Sequence, residues 1–162
     1  MRFNIACIGI GGFAKNYVDA VLKLQDEGRS VFKAAVERYP EREPERAERL
    51  RQRGIPLYQD IDELFANIKE LDLVAVGTGL HLHYPMALQG LREGCHVFLA
   101  KPSTVVVQQV DDMIAASHEA GKVLAVDFQH SYAASAQEIK QWLADGVIGT
   151  PQRVVAQAIW WV

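Results

Sequence analysis

Short apolar runs rich in β-branched residues alternate along the chain with longer segments whose apolar residues recur every three or four positions. The runs are the stretch from Phe3 up to Gly9, then Val31–Val36, Leu71–Val76, His96–Leu99 and Lys122–Phe128. The longer segments are Phe13–Glu27, Pro44–Arg53, Ile61–Ile68, Tyr84–Arg92, Val107–Glu119 and Ala136–Ala144. The first group reads as strands and the second as amphipathic helices. Strands alternating with helices predict βαβ units and an α/β fold with a doubly wound, mostly parallel sheet. The strand runs are almost continuously apolar, as strands covered on both faces are. Gly28, Gly54, Gly94 and Gly121 stand where helices should stop, and Asp60 and Ser135 where helices should be N-capped. The segment Glu41–Arg53 carries dense charge of both signs and reads as a solvated helix face.

The rhythm breaks near the end. Gly146-Val147-Ile148-Gly149-Thr150-Pro151 is a cluster of turn formers, and the next segment, Arg153–Val162, is strand-like and carries Trp160 and Trp161. A strand of this kind needs a partner sheet. Its unpaired edge predicts one of two outcomes: association with another copy of the chain, giving a homo-oligomer through this segment, or a segment left disordered.

The first strand ends in Gly9-Ile10-Gly11-Gly12-Phe13-Ala14 and leads into a helix. This is the Gly-x-Gly-x-x-Ala spacing of a dinucleotide-binding turn. Gly9 permits the tight turn, Gly11 lets backbone N–H groups approach a pyrophosphate, and Ala14 lets the helix pack closely on the sheet. Pyrophosphate is expected over residues 9–14, at the positive end of the helix. A tight strand-to-helix turn also needs glycine for steric reasons alone, so the turn gains meaning from residues further along the chain. Glu37 lies at the end of the second strand, where such folds place the acid that accepts hydrogen bonds from the adenosine ribose. An anion there repels a 2′-phosphate and favours NAD, whereas the adjacent Arg38 would suit that phosphate and keeps NADP open.

Two further strand ends carry candidate chemistry, because ligands of doubly wound sheets bind at the carboxyl ends of the strands. Gly77-Thr78-Gly79-Leu80-His81-Leu82-His83 comes directly after the Leu71–Val76 run. His81 and His83 have no cysteine or carboxylate nearby in sequence to complete a metal shell, and His83 reads as opening the helix near Tyr84-Pro85. Lys101-Pro102 closes the His96–Leu99 strand. A lysine at the end of a buried strand is costly unless paired or used, and the adjoining proline restrains it to an extended backbone. Its position suits a reach toward a nicotinamide and a substrate hydroxyl; the plain alternative is a lysine that snorkels to the surface.

Composition narrows the class. The 162 residues, 49% hydrophobic and 23% charged, suffice for one domain with a core. A net charge of −3 with no basic face argues against a nucleic-acid partner. Gly9, Gly11, Gly12 and Lys15 interrupt the N-terminal apolar run too early for a signal peptide, and no apolar run is long enough to span a bilayer. Cys7 and Cys95, each in or beside an apolar run, read as buried thiols, which suits a cytoplasmic setting.

These elements, in this order, resemble the N-terminal domain of the glucose-fructose oxidoreductase / inositol dehydrogenase / rhizopine-catabolism oxidoreductase (Gfo/Idh/MocA) family. Thr78 and His83 match its Thr-Pro-Asn-x-x-His loop, Lys101-Pro102 its Glu-Lys-Pro motif, and Gly146–Gly149 its Gly-x-Ile-Gly turn before a second domain. Gly79 and Leu80 replace the loop's Pro and Asn, Ala100 replaces the Glu, and Ser131 stands near the position of a common Arg. The resemblance implies a Rossmann domain over 1–150 and the start of a C-terminal substrate domain over 151–162. It implies NAD as cofactor, held by Gly9, Gly11, Gly12, Phe13, Ala14, Glu37, Arg38, Gly77, Thr78, His83, Lys101 and Pro102. Lys101 is also the implied catalytic residue, acting on a sugar or polyol hydroxyl. The adenosine and pyrophosphate half keeps the family pattern and the nicotinamide half departs from it. Two readings stand side by side: a cofactor domain inactive without its substrate domain, or a non-catalytic dinucleotide-binding module that acts as sensor or partner subunit. A coenzyme A-binding domain on the same fold would need neither Lys101-Pro102 nor the Gly146–Gly149 turn.

Overall fold

The structure of the chain is a computed structural model, and it describes residues 2–155 and residue 157. Strands β1 (Phe3–Ile8), β2 (Ser30–Val36), β3 (Leu57–Tyr58), β4 (Leu73–Val76), β5 (His96–Ala100) and β6 (Leu124–Asp127) form one sheet in the order β3-β2-β1-β4-β5-β6. Every pairing in it is parallel. Helices α1 (Ala14–Asp26), α2 (Pro44–Gln52), α3 (Ile61–Asn67), α4 (Leu80–Arg92) and α5 (Val107–Ala120) connect the strands. The chain runs outward from β1 to β3, then returns to add β4 on the other side of β1. That reversal opens a crevice at the carboxyl ends of β1 and β4, the place where open α/β sheets bind ligands.

The strands and helices predicted before residue 146 are present, with short additions and two shifts. β3 has only two residues, too few to show a period, and exists because Ala35 and Val36 offer it paired positions. A 3-10 turn at Pro40–Arg42 precedes α2. The helix expected to open near Tyr84-Pro85 begins instead at Leu80, so His83 lies within its first turn and Pro85 inside it. Proline favours a helix start because it lacks an N–H. Here the Leu82 N–H bonds to the Gly79 carbonyl at 2.8 Å and begins the helix earlier. Asp60 caps α3 as expected, its carboxylate accepting from the Glu63 N–H at 2.7 Å.

The core lies on both faces of the sheet, and a bulge in β2 makes that possible. Ile5 pairs with Phe32 but Ala6 with Ala34, so Lys33 is skipped. Without that step the alternation of side chains would place Phe32 and Ala34 on one face. With it, Phe32 and Ala35 join Ile5, Cys7 and Ala75 under α1 and α2, packed on Val18, Leu22 and Leu50. Ala34 and Val36 join Ala6, Ile8, Val74, Val76 and Leu99 on the opposite face, packed on Leu64, Leu91 and Met113.

Met1–Asp127 and Phe128–Val162 are separate compact units. The second holds a 3-10 turn (Gln129–Tyr132), helix α6 (Ala134–Ala144) and the turn over 146–149, where Gly146 and Gly149 take positive φ. Ser135 does not cap α6. The helix starts two residues earlier than expected, after Ala133, without a side-chain cap. Residues 151–155 form no strand. The rest of the expected strand, residue 156 and residues 158–162 with both tryptophans, lies outside the described residues.

Candidate functional site at the sheet's carboxyl edge

Parallel pairing brings the ends of β1, β2, β4, β5 and β6 to one edge. Ile8 pairs with Val36 and Val76, Val76 with Leu99, and Ala100 with Asp127. Gly9, Glu37, Gly77, Thr78 and Lys101 therefore share that edge, although up to 92 positions separate them in sequence.

The glycine-rich turn is shaped by close approach. Gly9 takes φ +93°, a conformation that L side chains rarely adopt. A Cβ on Gly77 would lie 2.7 Å from the Ala14 Cβ and 2.8 Å from its Cα. Gly77 thus serves to let the end of β4 pack against the first residue of α1, and Ala14, 1% exposed, is the small residue that the contact requires. α1 has no side-chain N-cap and no acidic residue in its first turn. Its N-terminal amides and positive dipole end are therefore left for an anion. Space is open beside Gly12, where a Cβ would meet no atom within 4 Å. The turn fits a dinucleotide's pyrophosphate on these grounds. Phe13 packs edge-on against Tyr17 at 5.5 Å.

Glu37 is tied to this turn. One carboxylate oxygen accepts from the Ile10 N–H and the other from the Tyr39 N–H, each at 3.2 Å. The acid is thereby fixed beside the place where an adenosine ribose would join the pyrophosphate, and each oxygen keeps a lone pair for a ribose hydroxyl. Arg38 is exposed and turns toward the Tyr39 ring, with Arg42 nearer on the same ring at 4.4 Å.

A second cluster surrounds His83, which is 2% exposed. Its Nδ1 lies 2.8 Å from the Pro102 carbonyl and its Nε2 3.0 Å from the Thr78 carbonyl. Both partners are acceptors, and the single N–H of a neutral ring donates to one of them, so the ring lies between the loop after β4 and the Lys101-Pro102 turn after β5. Its nitrogens are engaged with protein rather than offered to a ligand. The Lys101–Pro102 peptide bond is cis. Lys101 itself is exposed and, among the described residues, forms no ion pair. The strand ends one residue before Lys101, and its side chain leaves the core.

The pattern along the chain does not single out the buried pair between Tyr17 and Asp127. The Tyr17 hydroxyl donates to the Asp127 carboxylate at 2.9 Å. Burial above all, then this bond and the nearby negative charge, pushes the Tyr17 phenol well above its usual range. Asp127 pairs with Ala100 and so stands one strand over from Lys101. A buried acid at a strand end was the available signal; only the fold supplies its partner, 110 residues away. The cysteines are free and buried, as expected. Burial raises the Cys7 thiol strongly and pushes Cys95 up to about 11, which leaves both as inert thiols.

This edge, on a doubly wound parallel sheet, has the form of a dinucleotide site. Residues 3–128 match the model of the oxidoreductase family with an NAD-binding Rossmann fold, Gfo/Idh/MocA, and the chain belongs to that family. The D-glucoside 3-dehydrogenase of Escherichia coli (strain K12) is 34% identical over 88 residues, 54% of this chain and 25% of that protein. The D-apiose dehydrogenase of Paraburkholderia graminis is 28% identical over 159 residues, 93% of this chain and 38% of that protein. The crystal structure of an NAD binding oxidoreductase from Klebsiella pneumoniae superimposes with a TM-score of 0.77 at 30% identity, covering 92% of this chain and 40% of that one. The chain thus spans a quarter to two fifths of the length of these relatives. NAD is the cofactor of the domain. No helix among the described residues is long and apolar enough to cross a membrane.

Proposed function

We propose that this chain is the cofactor half of a nicotinamide-dependent oxidoreductase acting on a hydroxyl-bearing carbon of a sugar or polyol. The observation that carries the reading is the meeting, at one switch point, of an uncapped helix N-terminus, a glycine turn with Glu37 bonded to it, and an exposed lysine two strands along. The names of the relatives, a glucoside and an apiose dehydrogenase, support the substrate class. When bound, the nicotinamide supplies hydride transfer.

The chain's own residues do the rest. The amides of residues 11–14 hold the pyrophosphate, and Glu37 accepts from the ribose. His83 fixes the Lys101-Pro102 turn against the Thr78 loop. In the oxidative direction Lys101, as the free amine, takes the hydroxyl proton on Nζ as the carbon gives up hydride; in reduction the ammonium returns that proton. Substrate contacts and turnover belong to the longer protein.

Calorimetry on this chain tests the cofactor reading. NAD(H) is expected to bind weakly and Gly11→Val to abolish binding, since a side chain there obstructs the turn. Absence of heat with NAD(H) and NADP(H) at millimolar ligand would overturn it. Assay of the longer protein against glucosides, pentoses and inositols tests the catalytic half. NAD binding without turnover of any of them would favour the non-catalytic module.

A further inference from the structure

Glu43 stands where the pyrophosphate approaches. It is the residue before α2, and its side chain reaches across to the glycine turn: a Cβ on Gly11 would lie 2.5 Å from Glu43 Oε1 and 2.9 Å from its Cγ and Cδ. The volume vacated by the missing Gly11 side chain is the one a pyrophosphate uses to come close to the backbone. Here a carboxylate fills it. The other carboxylate oxygen pairs with Arg46 Nη1 at 2.5 Å, one helical turn along α2, and both side chains are partly buried. α1 has no cap or acidic residue of its own, so its positive end follows directly on the turn that Glu43 reaches.

We propose that Glu43 is a displaceable anionic plug of the cofactor site, held by Arg46, which the dinucleotide must push aside to bind. The inference rests on the NAD-binding reading and adds a residue that sets cofactor affinity. With the plug in place only part of the population is competent to bind, and the apparent affinity falls by that fraction. The competition is between like charges for one volume. It therefore acts on ligands that bring phosphate to the turn and spares adenosine, which brings none.

The test is calorimetric titration of wild type, Glu43→Gln and Glu43→Ala with NAD, ADP and adenosine. Glu43 makes no side-chain cap to α2, so helix content and melting temperature, measured alongside, should stay close to wild type. The expected result is tighter binding of NAD and ADP by about threefold or more in Glu43→Gln and further in Glu43→Ala, with adenosine unchanged. Equal or weaker NAD and ADP binding in both variants would overturn the plug while leaving the cofactor site intact. An equal gain for adenosine would also overturn it, since that marks a general loosening. Silence of all three proteins toward NAD and ADP would instead remove the cofactor reading, and the plug with it.

Discussion

The two halves of the carboxyl edge are built differently. Around β1, α1 and β2 the site is mostly backbone: glycines, amide N–H groups, a helix end, and Glu37 bonded to the amides of Ile10 and Tyr39. Around β4, β5 and β6 it is mostly side chains that meet from distant places, with His83 between Thr78 and Pro102 and Tyr17 on Asp127. A backbone site tolerates little change in shape and asks little of residue chemistry. A side-chain site can be rewired by single substitutions. On the proposed reading the first half holds the dinucleotide and the second carries the chemistry beside it.

Lys101→Ala gives the largest break between the halves. In a two-domain protein that carries this chain as its cofactor domain, it should lower turnover by about 10²–10⁴-fold and leave NAD affinity and melting temperature nearly unchanged. Near-normal turnover would return Lys101 to a surface role.

Gly77→Ala and His83→Leu each damage one half. Alanine at Gly77 drives a Cβ into Ala14 and should destabilise the fold by about 1–3 kcal/mol, with loss of ADP binding as the α1 turn shifts. Leucine at His83 removes the ring's donor to the buried backbone and should destabilise by about 1–3 kcal/mol while ADP binding persists. Denaturant unfolding with ADP titration checks both. Loss of ADP binding in His83→Leu, or its survival in Gly77→Ala, would dissolve the division.

Glu37→Ala sharpens cofactor choice inside the backbone half. Removing a carboxylate that would accept from the ribose should shift preference from NAD toward NADP by about tenfold. Tighter binding of NADP than of NAD by the unaltered chain would reverse the assignment.

The cysteines give the smallest effect. With Cys95 pushed from 9 up to about 11 and Cys7 raised further, iodoacetamide at pH 8 should label neither until the chain unfolds. The folded state resists ionisation of these thiols, so their contribution to stability is complete below about pH 9 and declines as pH rises toward 11 and beyond. Rapid native labelling at pH 8 would contradict the burial.

Residue order alone accounts for the alternation of strands and helices, the parallel sheet, and the glycine turn. Each of these comes from local period or local sterics: an apolar run covered on both faces, a helix stripe, a position that only glycine can occupy. Order also marks Glu37 and Lys101-Pro102, because strand ends are where such sheets bind. The remaining features exist only in three dimensions. The Lys33 bulge sets which face of β2 is which, and no alternation in the sequence announces it. Whether His83 would serve a ligand or the backbone depended on two carbonyls, one of them 19 residues away. Asp127 found Tyr17, and Glu43, in a stretch that reads as a solvated helix face, found Gly11. Those contacts join residues far apart in the chain, and a side chain's role is fixed by the atom it meets rather than by its neighbours in sequence.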